Sequence, residues 1–215
     1  MERLAAFIAA ASGVPDVRVD RYERLSGGAI QENFALDVRI DGREHALVLR
    51  KDAPARLAVS RTRAEEFGLL QAAFAAGVTV PEPLWAGDDP AIVGTPFFIM
   101  RRAAGTAVGR RIVRDHALGG DRATLAARLA EQLARIHAIR PPRADLAFLG
   151  PPRSPHDFVR EAQAFLDAGG HVEPALELGL RWLEVNAPAP AGEVIVHGDF
   201  RTGNYLVDAH GITAI

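Results

Sequence analysis

Between Gln31 and Ile40 the chain alternates without a break: Phe34, Leu36, Val38 and Ile40 fall on one side, Ala35, Asp37 and Arg39 on the other. A period of two is the mark of a half-buried strand. Asp41-Gly42 follows at once and suits the left-handed backbone of a two-residue hairpin turn, so Glu44 to Arg50 returns as the neighbouring strand. Any fold for this chain must therefore be built on an antiparallel hairpin whose register is counted outward from that turn. Before it come a short helix from Glu2 to Ala11 and a strand near Val19 to Leu25. After it, Phe67, Leu70 and Phe74 stripe a helix over Val59 to Ala75, and Pro83 to Gly87 and Pro96 to Arg102 read as two further strands.

Past Gly105 the period changes. Leu125, Leu129, Leu133 and Ile136 recur at helical spacing behind an Asp121 cap and ahead of Pro141-Pro142. Two more helices are expected over Pro155 to Ala168 and Val172 to Val185, and a short buried strand at Val194-Ile195-Val196. The fold class is α+β, with a β-rich part first and a helix-rich part after it. A chain of 215 residues can bury a substantial core as one large domain or two small lobes. The apolar residues are mostly Ala, Leu and Val, and a formal net charge of -2 provides no basic footprint for nucleic acid or an anionic membrane. The absence of cysteine removes disulfides, thiolate nucleophiles and zinc-thiolate sites and fits a reducing cytoplasm. Leu4 to Val14 superficially resembles a signal sequence, but Glu2 offsets Arg3 and a helix explains the same residues. A cytoplasmic location is expected, with no membrane partner.

Three segments carry chemistry. His197-Gly198-Asp199-Phe200-Arg201-Thr202-Gly203-Asn204 places a carboxylate and, five positions on, an amide oxygen on one loop. In kinase-type phosphoryl transfer such an Asp orients the substrate hydroxyl and such an Asn ligates a metal. Because the transition state is loose, Asp199 would mainly position the hydroxyl, whose proton need not leave early. Ser26-Gly27-Gly28 lies between two strands, where it is either an ordinary hairpin turn or a cradle of backbone N–H groups for phosphate oxygens. Arg50 and Lys51, the latter the only lysine, end a strand where either cation can reach nucleotide phosphates. A cation there is usually held by a helix carboxylate, and the wheel through Phe67, Leu70 and Phe74 puts Glu66 beside the packed face and Glu65 away from it. Neither an H-E-x-x-H pair nor a G-x-S-x-G elbow is present, which leaves zinc and serine hydrolase chemistry without footing.

With Leu25-Ser26-Gly27-Gly28, Leu47-Val48-Leu49-Arg50, Val80-Pro81-Glu82-Pro83, Gly94 to Met100 and His197 to Asn204 in place, the chain from Leu25 to Ile215 resembles the aminoglycoside phosphotransferase and choline kinase superfamily. It most resembles the branch whose modules precede some acyl-CoA dehydrogenases. The resemblance implies a protein-kinase-like fold: a nucleotide-binding lobe over 1–102 and a partial helical lobe over 103–215, with the catalytic loop at 197–204. It implies ATP and Mg²⁺ as cofactors and a small-molecule hydroxyl as acceptor. Asp199 would be catalytic and Asn204 a magnesium ligand. Ser26, Gly27, Gly28, Arg50 and Glu66 would serve the phosphates, with Lys51 as the alternative to Arg50. Met100 would line the adenine pocket, and the backbone of Arg101 and Ala103 would bond the adenine edge. In the family a second metal-binding Asp follows on the next strand. Gly211 to Ile215 reads as that strand with no Asp after it, so the chain is expected to be a partial product. A nucleotide-binding module without turnover, or an assembly fragment, is the alternative. Substrate identity and oligomeric state are not encoded in these motifs.

Overall fold

The computed structural model describes residues 1–25, 31–52, 61–170, 173–189 and 192–215. They divide into one unit of Met1–Ile139 with Ile195–Ile215, and a second of Arg140–Val194. The lobe boundary expected after Arg102 falls inside the first unit.

The first unit is built on a five-stranded antiparallel sheet in the order β1-β2-β3-β5-β4, where β1 is Val17–Arg24, β2 Gln31–Ile40, β3 Arg43–Asp52, β4 Pro83–Gly87 and β5 Phe97–Arg101. The hairpin turn is as the sequence predicts: Asp41 and Gly42 have φ of 49° and 72°, and the register runs from Ile40↔Arg43 through Leu36↔Leu47 to Asn33↔Arg50. Phe34, Leu36, Val38 and Ile40 pack with Leu47, Leu49, Phe97 and Ile99 under helix α1, Glu2–Ser12, through its buried Leu4 and Ile8. The opposite face carries Val48, Phe98 and Met100, which pack against Phe67 and Leu70 of α2, Arg63–Ala75. Strands β3 and β5 are internal and covered on both faces, which is why Leu47-Val48-Leu49 and Phe97-Phe98-Ile99-Met100 are apolar throughout.

Helix α2 begins at Arg63, later than the expected Val59. Thr62 accepts a hydrogen bond from the Glu65 N–H (3.2 Å) and its own N–H donates to the Glu65 carboxylate (2.8 Å), a capping box that fixes the start. Residues 53–60 lie outside the described residues.

Beyond β5 the chain passes a short helix α4, Gly109–Arg114, which the sequence reading did not foresee, and α5, Arg122–Ala138, capped by Asp121 as expected. The brief helix α3 is Pro90–Val93. Strands β6, Leu206–Val207, and β7, Ile212–Ala214, form a second small sheet. Ile112, Leu125, Tyr205 and Val207 make the core of this region. Gly105 allows the segment after β5 to lie against β6: a Cβ there would sit 2.6 Å from the Val207 carbonyl oxygen, and Thr106 and Val207 exchange backbone hydrogen bonds of 2.9 and 3.1 Å.

One expected strand is corrected. Val194-Ile195-Val196 joins no ladder; among the described residues its backbone makes one such bond, from the Ile195 N–H to the Ile139 carbonyl, and Val196 is 59% exposed. Three apolar residues without a neighbouring strand remain coil.

The second unit holds a 3₁₀ turn at Ala144–Leu149 and helices α6, Pro155–Gly169, and α7, Pro174–Asn186. Ser154 and Asp157 form a capping box on α6, and Gln163 on α6 donates to Glu177 on α7 (3.0 Å). No helix among the described residues is long and apolar enough to cross a membrane.

Candidate active site

The sheet side of the site is centred on Arg50. Alternation along β3 sends Val48, Arg50 and Asp52 toward α2 and Leu47, Leu49 and Lys51 to the α1 face. Arg50 Nε donates to Asn33 Oδ1 (2.9 Å) across the β2–β3 pair, and Nη1 donates to Glu66 Oε1 from α2. The other Glu66 oxygen accepts from Arg63, whose side chain is 1% exposed and also ion-pairs with Asp52 (2.9 Å). Two arginines and two carboxylates from β3 and α2 thus alternate in charge, closed by the Phe98 ring 5.8 Å from the Arg50 guanidinium carbon. Lys51 points elsewhere: its ammonium donates to the Val93 carbonyl (3.2 Å), lies 3.6 Å from Glu32 and rests over the Phe34 ring. Glu65 is occupied by the α2 cap. Of the two cations and two carboxylates weighed from sequence, Arg50 and Glu66 are the ones that meet.

Met100 is buried among Val48, Phe98, Phe67 and Leu70. The Arg101 N–H already donates to the Glu82 carbonyl oxygen (2.9 Å), which removes it as a donor to a ligand. Ala103 is half-buried beyond the strand end. Ser26, Gly27 and Gly28 lie outside the described residues.

The loop side is held by its own neighbours. Asn204 Nδ2 donates both to the Asp199 carbonyl oxygen (2.8 Å) and to its carboxylate Oδ2 (2.6 Å). Arg201 Nε faces both Asp199 carboxylate oxygens at 3.1 and 3.2 Å. The Asp199 N–H donates to His197 Nδ1 (3.3 Å), which requires that nitrogen to be unprotonated. Desolvation holds the His197 pKa below its ordinary value, against an opposing pull from the Asp199 charge, so the acceptor form is favoured. The loop is tied to the core by the Thr202 and Tyr205 hydroxyls, 3.0 Å apart, with Tyr205 buried.

With its amide hydrogens turned to Asp199, Asn204 has its Oδ1 left as a hard oxygen donor suited to Mg²⁺. Among the described residues no cluster of three His, Cys, Asp or Glu offers a metal cage. The donor set fits a cation held by one or two protein oxygens plus phosphates and water, which is how Mg²⁺ is commonly bound.

Sequence reasoning passed over Arg63, Asp52, Asn33 and Arg201. Arg63 stands three residues before Glu66, and Asn33 opposes Arg50 by counting from the turn, so both were within reach of spacing arguments. Arg201 carried no signal beyond its place in the loop. In the second unit the acidic side chains Asp145, Asp157 and Glu161 have local partners: Asp145 pairs with Arg143, Asp157 serves the α6 cap, and Glu161 bonds Arg153.

Comparison with known proteins bears on the family and the fold. A family model described as the phosphotransferase enzyme family matches residues 21–215. Acyl-CoA dehydrogenase family member 10 of Mus musculus is 31% identical over 186 residues, covering 82% of this chain and 16% of that protein. Acyl-CoA dehydrogenase family member 11 of Gallus gallus is 33% identical over 170 residues, covering 75% of this chain and 21% of that protein. The chain therefore spans about a fifth of the length of these relatives. Among solved structures, a putative aminoglycoside phosphotransferase from Ralstonia eutropha superposes with a TM-score of 0.71 at 19% identity, over 100% of this chain and 63% of that one. A thermostable mutant of aminoglycoside phosphotransferase APH(4)-Ia, in ternary complex with AMP-PNP and hygromycin B, gives 0.59 at 18% identity, over 100% and 70%. These structural likenesses show the fold: α+β and kinase-like, an antiparallel sheet followed by helices.

Proposed function

We propose that this chain, which belongs to the phosphotransferase enzyme family, carries the nucleotide and catalytic elements of a kinase moving the ATP γ-phosphoryl group to a hydroxyl of a small molecule. In this reading residues 1–102 hold the nucleotide and 103–215 supply the catalytic loop. The observation that carries it is the Asp199–Asn204 contact, with a carboxylate still 62% exposed in the same folded unit as the Arg50–Glu66 pair.

Asp199 accepts the hydrogen bond of the incoming hydroxyl and holds the hydroxyl oxygen in line with the γ-phosphorus; as the new P–O bond forms, the bond to the β,γ-bridging oxygen breaks, ADP leaves, and the hydroxyl proton passes late to the Asp199 carboxylate. Arg50, locked by Asn33 and Glu66, presents the remaining edge of its planar fork to phosphate oxygens. Met100 borders the adenine, the backbone of Ala103 and the carbonyl of Arg101 serve its edge, and Ser26, Gly27 and Gly28, which lie outside the described residues, are assigned to the phosphates by sequence alone. Asn204 Oδ1 would hold Mg²⁺, which when bound neutralises phosphate charge. His197 in its neutral form keeps the loop in shape by accepting the Asp199 N–H.

The test is Asp199→Asn in the protein as it occurs, with ATP consumption measured against a panel of small alcohols. Transfer is abolished and nucleotide binding spared if the role is right; full turnover removes Asp199 from it. A second reading, nucleotide binding without turnover, is favoured by Arg201 Nε, which already faces both Asp199 carboxylate oxygens. Calorimetry that finds nucleotide bound and no phosphoryl transfer to water or any alcohol selects that reading.

A further inference from the structure

The chain carries a net charge of -2, yet α4 concentrates Arg110, Arg111 and Arg114 within six residues, all exposed. Most described arginines bond a carboxylate or a carbonyl oxygen. Among the described residues these three side chains have no such partner. Arg110 and Arg114 are four apart and Arg111 and Arg114 three apart, so the cations share a helix face and repel. Asp115 is the adjacent carboxylate, and its Oδ1 is engaged by the Ala117 N–H (3.0 Å). Together with Val108, which is 60% exposed, these residues line an open hollow of about 350 Å³.

The first residue of α4 and the segment before it lie against the catalytic loop. A Cβ on Gly109 would be in van der Waals contact with the Thr202 carbonyl oxygen (3.4 Å), and one on Gly203 with that of Ala107 (3.8 Å). Val108 is fixed in turn by the Thr106 hydroxyl (3.2 Å), and Thr106 by its bonds to Val207. A six-residue helix is only about 9 Å long. All three guanidinium groups therefore hang on a short arm whose first residue, Gly109, lies against Thr202, three residues beyond Asp199 in the loop.

We infer that α4 is an anion-binding edge of the acceptor site and that the acceptor is a phosphate-bearing alcohol. The inference rests on the kinase reading and names its substrate class. Guanidinium forks grip phosphate oxygens in pairs, and the apolar Val108 accommodates the carbon skeleton between phosphate and hydroxyl. A phosphate on α4 holds the far end of the acceptor while its hydroxyl reaches Asp199.

The probe is glycerol 3-phosphate, titrated into the ¹⁵N-labelled protein saturated with AMP-PNP, with glycerate, glycerol and choline as comparison arms. Amide shifts over Val108 to Asp115, with affinity roughly tenfold above that for glycerol and choline, are expected. Glycerate binding as tightly as glycerol 3-phosphate would reassign the site to carboxylates and overturn the phosphate claim. Because the three arginines are exposed, R110Q/R111Q/R114Q should keep the thermal midpoint and nucleotide affinity while losing the shifts. Shifts elsewhere, equal response to glycerol, or an unchanged response in the triple variant would overturn the inference. Loss of AMP-PNP binding in that variant would do so too, by assigning the arginines to the nucleotide. Failure of the unaltered protein to bind AMP-PNP in the same titration would instead count against the kinase reading.

Discussion

Arg50 and Glu66 keep 28% and 23% of their side chains exposed and are held by groups from three elements, Asn33 on β2, Arg50 itself on β3 and Arg63 on α2. Asp199 keeps 62% exposed, and every bond it makes through its side chain or to Asn204 closes within five residues of loop. One set of charges is part of how the sheet and α2 pack; the other is mounted on a loop that the core carries. In the proposed kinase reading, function and stability are coupled on the sheet side. On the loop side a substitution can remove chemistry and leave the fold alone.

The largest effect that sharpens this contrast is Asp199→Asn, which should lower phosphoryl transfer by about 10²–10⁴-fold with no change in thermal midpoint. Transfer is read from ATP consumption and stability from calorimetry; a fall in midpoint would break the separation. Arg63→Met should do the reverse, costing about 2–4 kcal/mol in denaturant unfolding. It strips a buried cation from Asp52 and Glu66, whose own partial exposure keeps the loss below that of a fully buried pair. Glu66→Gln frees Arg50 to reorient and should weaken nucleotide binding roughly tenfold. Thr62→Ala removes the hydroxyl half of the α2 capping box, for about 1 kcal/mol of stability and no loss at the loop.

The smallest effect is one of pH. The His197 pKa is depressed in the folded chain, so its contribution is fully present above the ordinary histidine value and is lost as pH falls through that value toward the folded one. Protonation also ends its acceptance of the Asp199 N–H. Hydrogen exchange at the Asp199 amide should therefore quicken on acidification beyond the intrinsic trend, and His197→Gln should flatten that response.

The sequence reported the sheet side better than the loop side, for a physical reason. Alternation from Gln31 to Ile40 and the Asp41-Gly42 turn set register, faces and the opposition of Asn33 to Arg50. A helical wheel separated Glu66 from Glu65 because three large apolar residues marked the packed face. The choice between Arg50 and Lys51 needed one further fact, the side on which α2 packs. Arg63 was missed because a charged residue reads as surface, and nothing local announces that two carboxylates will bury it. At Val194-Ile195-Val196 the apolar run predicts a strand that the structure does not form, since composition cannot say whether a partner strand lies alongside. Helix α4 is too short to leave a period. Gln132, buried on α5 and accepting from the Thr79 N–H (2.7 Å), has the same invisibility as Arg63.

The central claim is that the sheet side binds and the loop side transfers. It is tested most directly by measuring nucleotide affinity for Asp199→Asn and Glu66→Gln side by side, with a fluorescent ATP analogue. The account predicts near-native affinity for Asp199→Asn and a roughly tenfold loss for Glu66→Gln. A large loss in Asp199→Asn alongside unchanged affinity in Glu66→Gln would contradict it.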